Sequence, residues 1–330
     1  MLLLQETKLI CKQHNIIPSR KRGQNFLINE DVYKKIIEIA DLSKEDAALE
    51  VGPGLGILTR LLCKNSGRVV AIELDKKIFD YLAVVKEVER LDNLELLNKN
   101  ILDFEKSPQP PFAKGGKFEK SPFRQLADPF TKGGKFENPP SPPLRKGGLI
   151  KSPQPPLPGG SIKIVANLPY NITSIFLRKF LHFLAEGKIS EMVLMLQKEV
   201  AERIASKPGQ MSLLSVSAQF YSEPEIVDYV NKNNFWPQPK VDSAIIKLKP
   251  IGDLAEKKSR SEVDEKVFFQ IARIGFSAKR KKLVNNLANG LHKKQAGILP
   301  FLLKIGANSN TRAQELSVAQ WISLANFIKN

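Results

Sequence analysis

Along the first hundred residues the apolar positions switch between helical and strand-like spacing, and the switches mark out a fold. Val32, Ile36, Ile37 and Ile39 fall on one helical face, which predicts an amphipathic helix over about 31–40, started by Asn29 or Asp31. Residues 47–51 make a short, nearly continuous apolar run, as a strand covered on both faces does. Gly52-Pro53-Gly54-Leu55-Gly56 ends that run, and Leu58, Leu61 and Leu62 resume a helical period. Residues 69–72 predict a second strand, closed by Glu73-Leu74-Asp75, and 94–97 a third, followed by Asn98-Lys99-Asn100-Ile101-Leu102-Asp103. Strand, glycine turn, helix and strand in this order open a doubly wound α/β domain.

The pattern stops near residue 105. Residues 105–160 hold 13 of the 22 prolines and repeat themselves: Pro-Phe-Ala-Lys-Gly-Gly-Lys-Phe-Glu at 111–119 returns almost unchanged at 129–137. Polar Pro/Gly-rich sequence of this kind buries too little surface to fold, and its irregular spacing does not suit a solenoid. It reads as a disordered insertion. The α/β pattern resumes at 162 and runs to Val165-Ala166-Asn167-Leu168-Pro169-Tyr170-Asn171. A helix over about 173–184 with Thr173 as its cap, a strand over 191–196, a helix over 211–220 and strands near 224–230 and 241–248 follow. From about 255 the spacing is helical, ending in a helix capped by Ser317.

Composition narrows the classes. Two cysteines without paired spacing and three scattered histidines indicate neither disulfides nor a metal site. No apolar run approaches the length of a membrane span, and the first residues lack the pattern of a signal peptide, so a reduced cytoplasmic compartment is expected. The net charge of +17 points to a polyanionic partner. The insertion carries +6 of it, which leaves +11 on the remainder, so the basic bias belongs to the folded part. Two clusters stand out as candidate phosphate contacts: Arg20, Lys21 and Arg22, and Lys279, Arg280, Lys281 and Lys282, the second read as wrapping a helix.

Glu73 lies 21 positions after Gly52, close to the spacing at which a doubly wound domain places the acid that grips ribose hydroxyls. The glycine spacing is G-x-G-x-G rather than the dinucleotide form, so a nucleoside cofactor is expected without nicotinamide. Asn100, with Asp103 second, is placed to reach the cofactor's base. Asn167-Leu168-Pro169-Tyr170, at a strand end, suits a flat ring bearing an amine. The Asn167 amide oxygen and the Leu168 carbonyl each accept one amine hydrogen, Pro169 stiffens the turn, and Tyr170 stacks on the ring. Phe235-Trp236-Pro237 supplies a second wall, with Phe235 or Trp236 opposing Tyr170.

Together these stretches resemble the ribosomal RNA adenine dimethyltransferase family, of the KsgA/RsmA type. The residues that carry the resemblance are Gly23-Gln24-Asn25-Phe26-Leu27, Glu50-Val51-Gly52-Pro53-Gly54, Glu73-Leu74-Asp75, Asn167-Leu168-Pro169-Tyr170-Asn171, Leu196-Gln197-Lys198-Glu199-Val200 and Pro239-Lys240-Val241-Asp242-Ser243. The resemblance implies a Rossmann-like class I methyltransferase domain over residues 1–250, interrupted by 105–160, and a small all-helical RNA-binding domain over 251–330. It implies S-adenosylmethionine as cofactor and dimethylation of two adjacent adenosines in the 3′-terminal hairpin of 16S rRNA on the immature small ribosomal subunit; a monomer is expected. By position, Asn25 and Leu27 would contact the cofactor, Gly52 and Gly54 would cradle its amino-acid end, Glu73 its ribose, and Asn167 would serve both sides of the pocket. The chain departs from the family at Asn100, where Asp is usual. A neutral acceptor there implies weaker cofactor binding. A 23S rRNA methyltransferase of the resistance type, a non-catalytic assembly factor and a nicotinamide-dependent dehydrogenase are the rival readings. The Pro239–Ser243 run and the helical tail favour the first reading over the 23S type, and the glycine spacing argues against the dehydrogenase.

Overall fold

A computed structural model describes residues 2–19, 22–103 and 161–329. The expected disordered insertion lies outside the described residues, as do Arg20 and Lys21.

Among the described residues, seven strands form one sheet. In chain order they are β2 (Ala47–Val51), β3 (Arg68–Glu73), β4 (Leu94–Asn98), β5 (Ile162–Asn167), β6 (Glu191–Gln197), β7 (Glu223–Val230) and β9 (Ser243–Lys249), and they lie side by side as β4-β3-β2-β5-β6-β9-β7. The first five are parallel; β9 enters antiparallel between β6 and β7. β1 (Phe26–Leu27) and β8 (Phe235–Trp236) form a separate antiparallel pair with Leu27 opposite Phe235.

Strand alternation sorts the core into two faces. Leu49, Val70, Ile72, Ile164, Leu194 and Leu196 face one cluster, while Ala48, Val69, Ala71, Val165 and Val193 face the other. The second face is covered by α2 (Glu30–Ala40) and α3 (Ile57–Asn65), through Ile36, Leu58 and Leu62. The first takes α5 (Thr173–Phe180), α8 (Leu213–Tyr221), α10 (Glu265–Gly275), α11 (Leu283–Gly290) and α13 (Val318–Lys329). Phe268, Leu287 and Trp321 of the C-terminal helices thus belong to the same apolar cluster as the sheet. The all-helical region after β9 closes the core of the α/β part from one side.

Local signals account for several helix starts. Asn29 caps α2, its Oδ1 accepting from the Asp31 amide at 2.9 Å, and Asp75 caps α4 (Lys76–Val88) through the Lys77 amide at 3.0 Å. Ser317 starts α13, its Oγ accepting from the Gln320 amide at 3.2 Å. The helix expected over 173–184 is two pieces, α5 and α6 (His182–Ala185). Thr173 is the first residue of α5 rather than its cap; its hydroxyl donates to the Pro169 carbonyl at 3.4 Å. α1 (Leu2–Gln13) was not anticipated. Cys11 on it and Ile16 just beyond pack with Ile78, Tyr81 and Leu82 of α4.

The four cations at 279–282 were read as helical, but they lie in the connection between α10 and α11 and all four are exposed. Asn286 on α11 explains the break. Its amide donates to the carbonyls of Gly275 at 2.6 Å and Ala278 at 3.1 Å, satisfying the end of α10 and turning the chain.

Candidate active site

Strand order reverses between β2 and β5, and at that switch point the carboxyl ends of neighbouring strands diverge into a cleft. Gly52, at the end of β2, has φ +69, which L side chains rarely adopt, and a Cβ there would lie 3.2 Å from Cγ and Cδ of Pro169. The glycine turn and the Asn167 turn therefore touch. The segment before β1 joins them: a Cβ on Gly23 would come within 3.1 Å of the Tyr170 nitrogen. Asn25, Leu27, Gly52, Gly54, Glu73, Asn100, Asn167, Leu168, Pro169 and Tyr170 all line this one cleft. Sequence positions as far apart as 25 and 170 thus meet.

Neither the Asn167 side chain nor the Leu168 carbonyl has a hydrogen-bond partner among the described residues, although the Leu168 amide is fixed to the Met195 carbonyl at 3.2 Å. Both residues line the cleft, on a backbone that neighbouring β6 holds in place. Tyr170, half-buried, bonds Ser243 through its hydroxyl at 2.7 Å. Burial raises its phenol pKa.

Glu73 is buried at the end of β3, its Oε1 accepting from the Asp75 amide at 2.7 Å. Burial pushes its carboxyl up to about 7, with the charge of Asp75 adding and that amide opposing. Its backbone is held by Asn98, whose amide donates to the Glu73 carbonyl at 2.8 Å. Asn100 Oδ1 accepts from the Leu102 amide at 3.0 Å, so the one oxygen this side chain offers already carries a backbone bond.

Phe235 requires correction. Its ring is 3% exposed, packs in the apolar cluster with Leu27, Tyr33 and Ile245, and does not line the cleft. β8 pairs with β1, which turns Phe235 inward. Trp236 is half-buried on Phe26, with ring centroids 6.5 Å apart, and is not among the lining residues either. Arg22, expected at RNA, forms an ion pair with Asp75, and Gln24 donates to the same carboxylate at 3.1 Å. Burial works against ionisation of Asp75, but those bonds and the Lys77 amide hold it below the usual carboxylate range.

Two contributors escaped the sequence reading. Glu50 was noted within a motif but given no role. It is 2% exposed, bonded by the Thr59 hydroxyl at 2.6 Å, and pushed up to about 8 by burial, with the nearby Glu73 charge adding. Tyr33 donates from its hydroxyl to the Leu27 carbonyl at 3.1 Å and so fixes the strand that borders the cleft. An acid inside an apolar strand, two positions before the glycine turn, was a usable signal for the first; the second had none. Among the described residues no helix is long and apolar enough to cross a membrane, no cluster of His, Cys, Asp and Glu could hold a metal, and Cys11 and Cys63 are free and buried.

The sheet order, with its antiparallel β9 beside β6, and a glycine-walled cleft at the switch point define a Rossmann-like class I methyltransferase fold. The family model described as ribosomal RNA adenine dimethylase matches residues 18–330, and the chain belongs to that family. A protein named ribosomal RNA small subunit methyltransferase A from Dehalococcoides mccartyi is 36% identical over 322 residues, covering 98% of this chain and 92% of its own. One of the same name from Geobacillus kaustophilus is 31% identical over 328 residues, covering 97% and 94%. Among solved structures, a dimethyladenosine transferase from Plasmodium falciparum shares the fold with TM-score 0.62 at 23% identity, covering 92% of this chain and 98% of that one. The 23S rRNA methyltransferase ErmE does so with TM-score 0.57 at 22% identity, covering 93% and 100%. Membership supports an rRNA adenine methyltransferase that uses S-adenosylmethionine.

The residues present fit that cofactor. A backbone turn with glycine at 52, 54 and 56, a buried carboxyl at the strand end and acceptors without a partner among the described residues share one cleft with apolar walls.

Proposed function

We propose that the protein dimethylates the exocyclic amines of two adjacent adenosines in the 3′-terminal hairpin of 16S rRNA, on the immature small ribosomal subunit and as a monomer. When bound, S-adenosylmethionine supplies an electrophilic methyl on a sulfonium sulfur. Gly52 and Gly54 would hold its amino-acid end, with Asn25 and Leu27 beside it. Glu73 would accept from its ribose hydroxyls, and Asn100 from its adenine. The near relatives' common name supports the small-subunit target over the 23S type.

The observation that carries the chemistry is a pair of acceptors without a partner among the described residues, the Asn167 amide and the Leu168 carbonyl, on residues that line the cleft beside the glycine turn. The lone pair of an adenine amine is delocalised into the ring and is a poor nucleophile. Two acceptors fixed on a rigid turn bias the nitrogen toward tetrahedral geometry and aim the lone pair into the cleft, so positioning and electrostatics do the work without a general base. The target base leaves its stack to reach them, and Tyr170 stacks on its face. After the first methyl a single amine hydrogen remains, and one acceptor suffices. The exposed cations Lys279, Arg280, Lys281 and Lys282 serve phosphates. Asn167→Ala, assayed by methyl transfer to small subunits lacking the modification, is expected to keep its fold and its cofactor and to lose at least about a hundredfold in rate. Near-normal dimethylation would remove the mechanism.

A further inference from the structure

The Tyr170 ring is held at both ends. At its base the main chain packs against Gly23, where even a Cβ would approach the Tyr170 nitrogen to 3.1 Å. At its tip the phenolic oxygen is 2.7 Å from Oγ of Ser243. Ser243 is completely buried, and its strand is paired on both sides, opposite Gln197 on β6 and Val230 on β7. The residue before it is pinned as well. The Lys198 amide donates to the Asp242 carbonyl at 2.9 Å, and the Lys232 amide to the Asp242 carboxylate at 2.9 Å. A hydroxyl so anchored does not follow a moving ring. Conjugation keeps both the hydrogen and an accepting lone pair of a phenolic oxygen near the ring plane, so whichever hydroxyl donates, a fixed partner at the tip restrains both the tilt and the twist of the ring.

We propose that Ser243 is a positioning residue for the target adenosine. It holds the Tyr170 ring in the attitude on which the flipped base stacks, and it touches neither base nor cofactor. The inference rests on the reading of the Asn167 turn as the adenine site. Without the tether the ring samples other rotamers, and the base must wait for the competent one, which lowers the productive fraction of bound RNA. RNA affinity comes mostly from phosphates and is little changed, so the loss falls on kcat rather than on KM.

The test uses the full chain with immature small subunits and compares Ser243→Ala, Tyr170→Phe and the double variant. Tyr170→Phe breaks the same bond from the cleft side and leaves β9 untouched, so a folding defect in Ser243→Ala does not end the test. Each single variant is expected to lose about five- to tenfold in kcat, the worth of one hydrogen bond, with KM and calorimetric cofactor affinity unchanged. The double variant is expected to be no worse than either single one, because both remove one contact. Losses that multiply in the double variant, or single variants at the wild-type rate, would overturn the proposal. Asn167→Ala serves as the control. If it is inactive while both single variants run normally, the adenine site stands and the tether falls; if it is active, the adenine site itself is wrong.

Discussion

Replacing Glu50 with Gln is expected to stabilise the protein at neutral pH and to flatten its pH dependence. Glu50 is 2% exposed, takes one hydroxyl bond from Thr59, and faces a second buried carboxyl at Glu73. Its carboxyl is pushed from 4.5 up to about 8. Between those values the folded protein keeps a proton that the unfolded chain has shed, so stability falls as pH rises and levels off beyond about 8. One fully responding group loses about 1.4 kcal/mol per pH unit, which gives on the order of 3 kcal/mol at pH 7. Gln carries no charge at any of these pH values, and its oxygen can still accept from Thr59. Its amide hydrogens need partners in the same tight site, which offsets part of the gain. A net stabilisation of about 1–2 kcal/mol, or roughly 3–6 °C in melting temperature, is expected at pH 7–8. The assay is thermal unfolding of both proteins at pH 5, 6, 7 and 8. The amide penalty is constant with pH, so the diagnostic is a difference that widens from pH 5 to pH 8. Parallel curves would show that Glu50 is not held protonated, and the electrostatic account of the cleft would fail with it.

Glu73, held near 7, is expected to grip ribose hydroxyls as a carboxylate, so cofactor affinity should rise up to about tenfold per unit as pH climbs toward 7 and then level off; a flat profile by calorimetry would remove Glu73 from the ribose site. Asn100→Asp supplies a second, charged oxygen beside the one already bonded to the Leu102 amide, and cofactor should bind about three- to tenfold tighter; equal affinities would reject the adenine contact. Changing Lys279, Arg280, Lys281 and Lys282 together to Ala should reduce the log–log salt slope of RNA binding by about 3, whereas Arg22→Ala, whose partner is Asp75, should leave that slope nearly unchanged; a reversed result would exchange the two surfaces.

The parts of the site legible in the sequence are those in which chemistry is bound to a local backbone event. Gly52 ends a strand, Glu73 ends the next and Asn167 ends a third, and the doubly wound rule places such ends side by side. Caps at Asn29 and Ser317 were readable for the same reason, since a cap is decided within one turn. Phe235 was misplaced because its orientation depends on β1, more than two hundred positions away: pairing with Leu27 turns the ring into the core, and an aromatic among prolines reads the same either way. The cations at 279–282 were misread because Asn286, on the following helix, ends α10 from outside. The cleft itself could be read because fold and chemistry impose the same demand on it. A side chain on Gly52 would crowd Pro169, the residue that stiffens the Asn167 turn, so under the proposed function the contact that closes the switch point also sets the distance between cofactor cradle and base. A residue under two constraints of that kind leaves a spacing in the sequence, whereas one constrained only by tertiary packing leaves a hydrophobic letter.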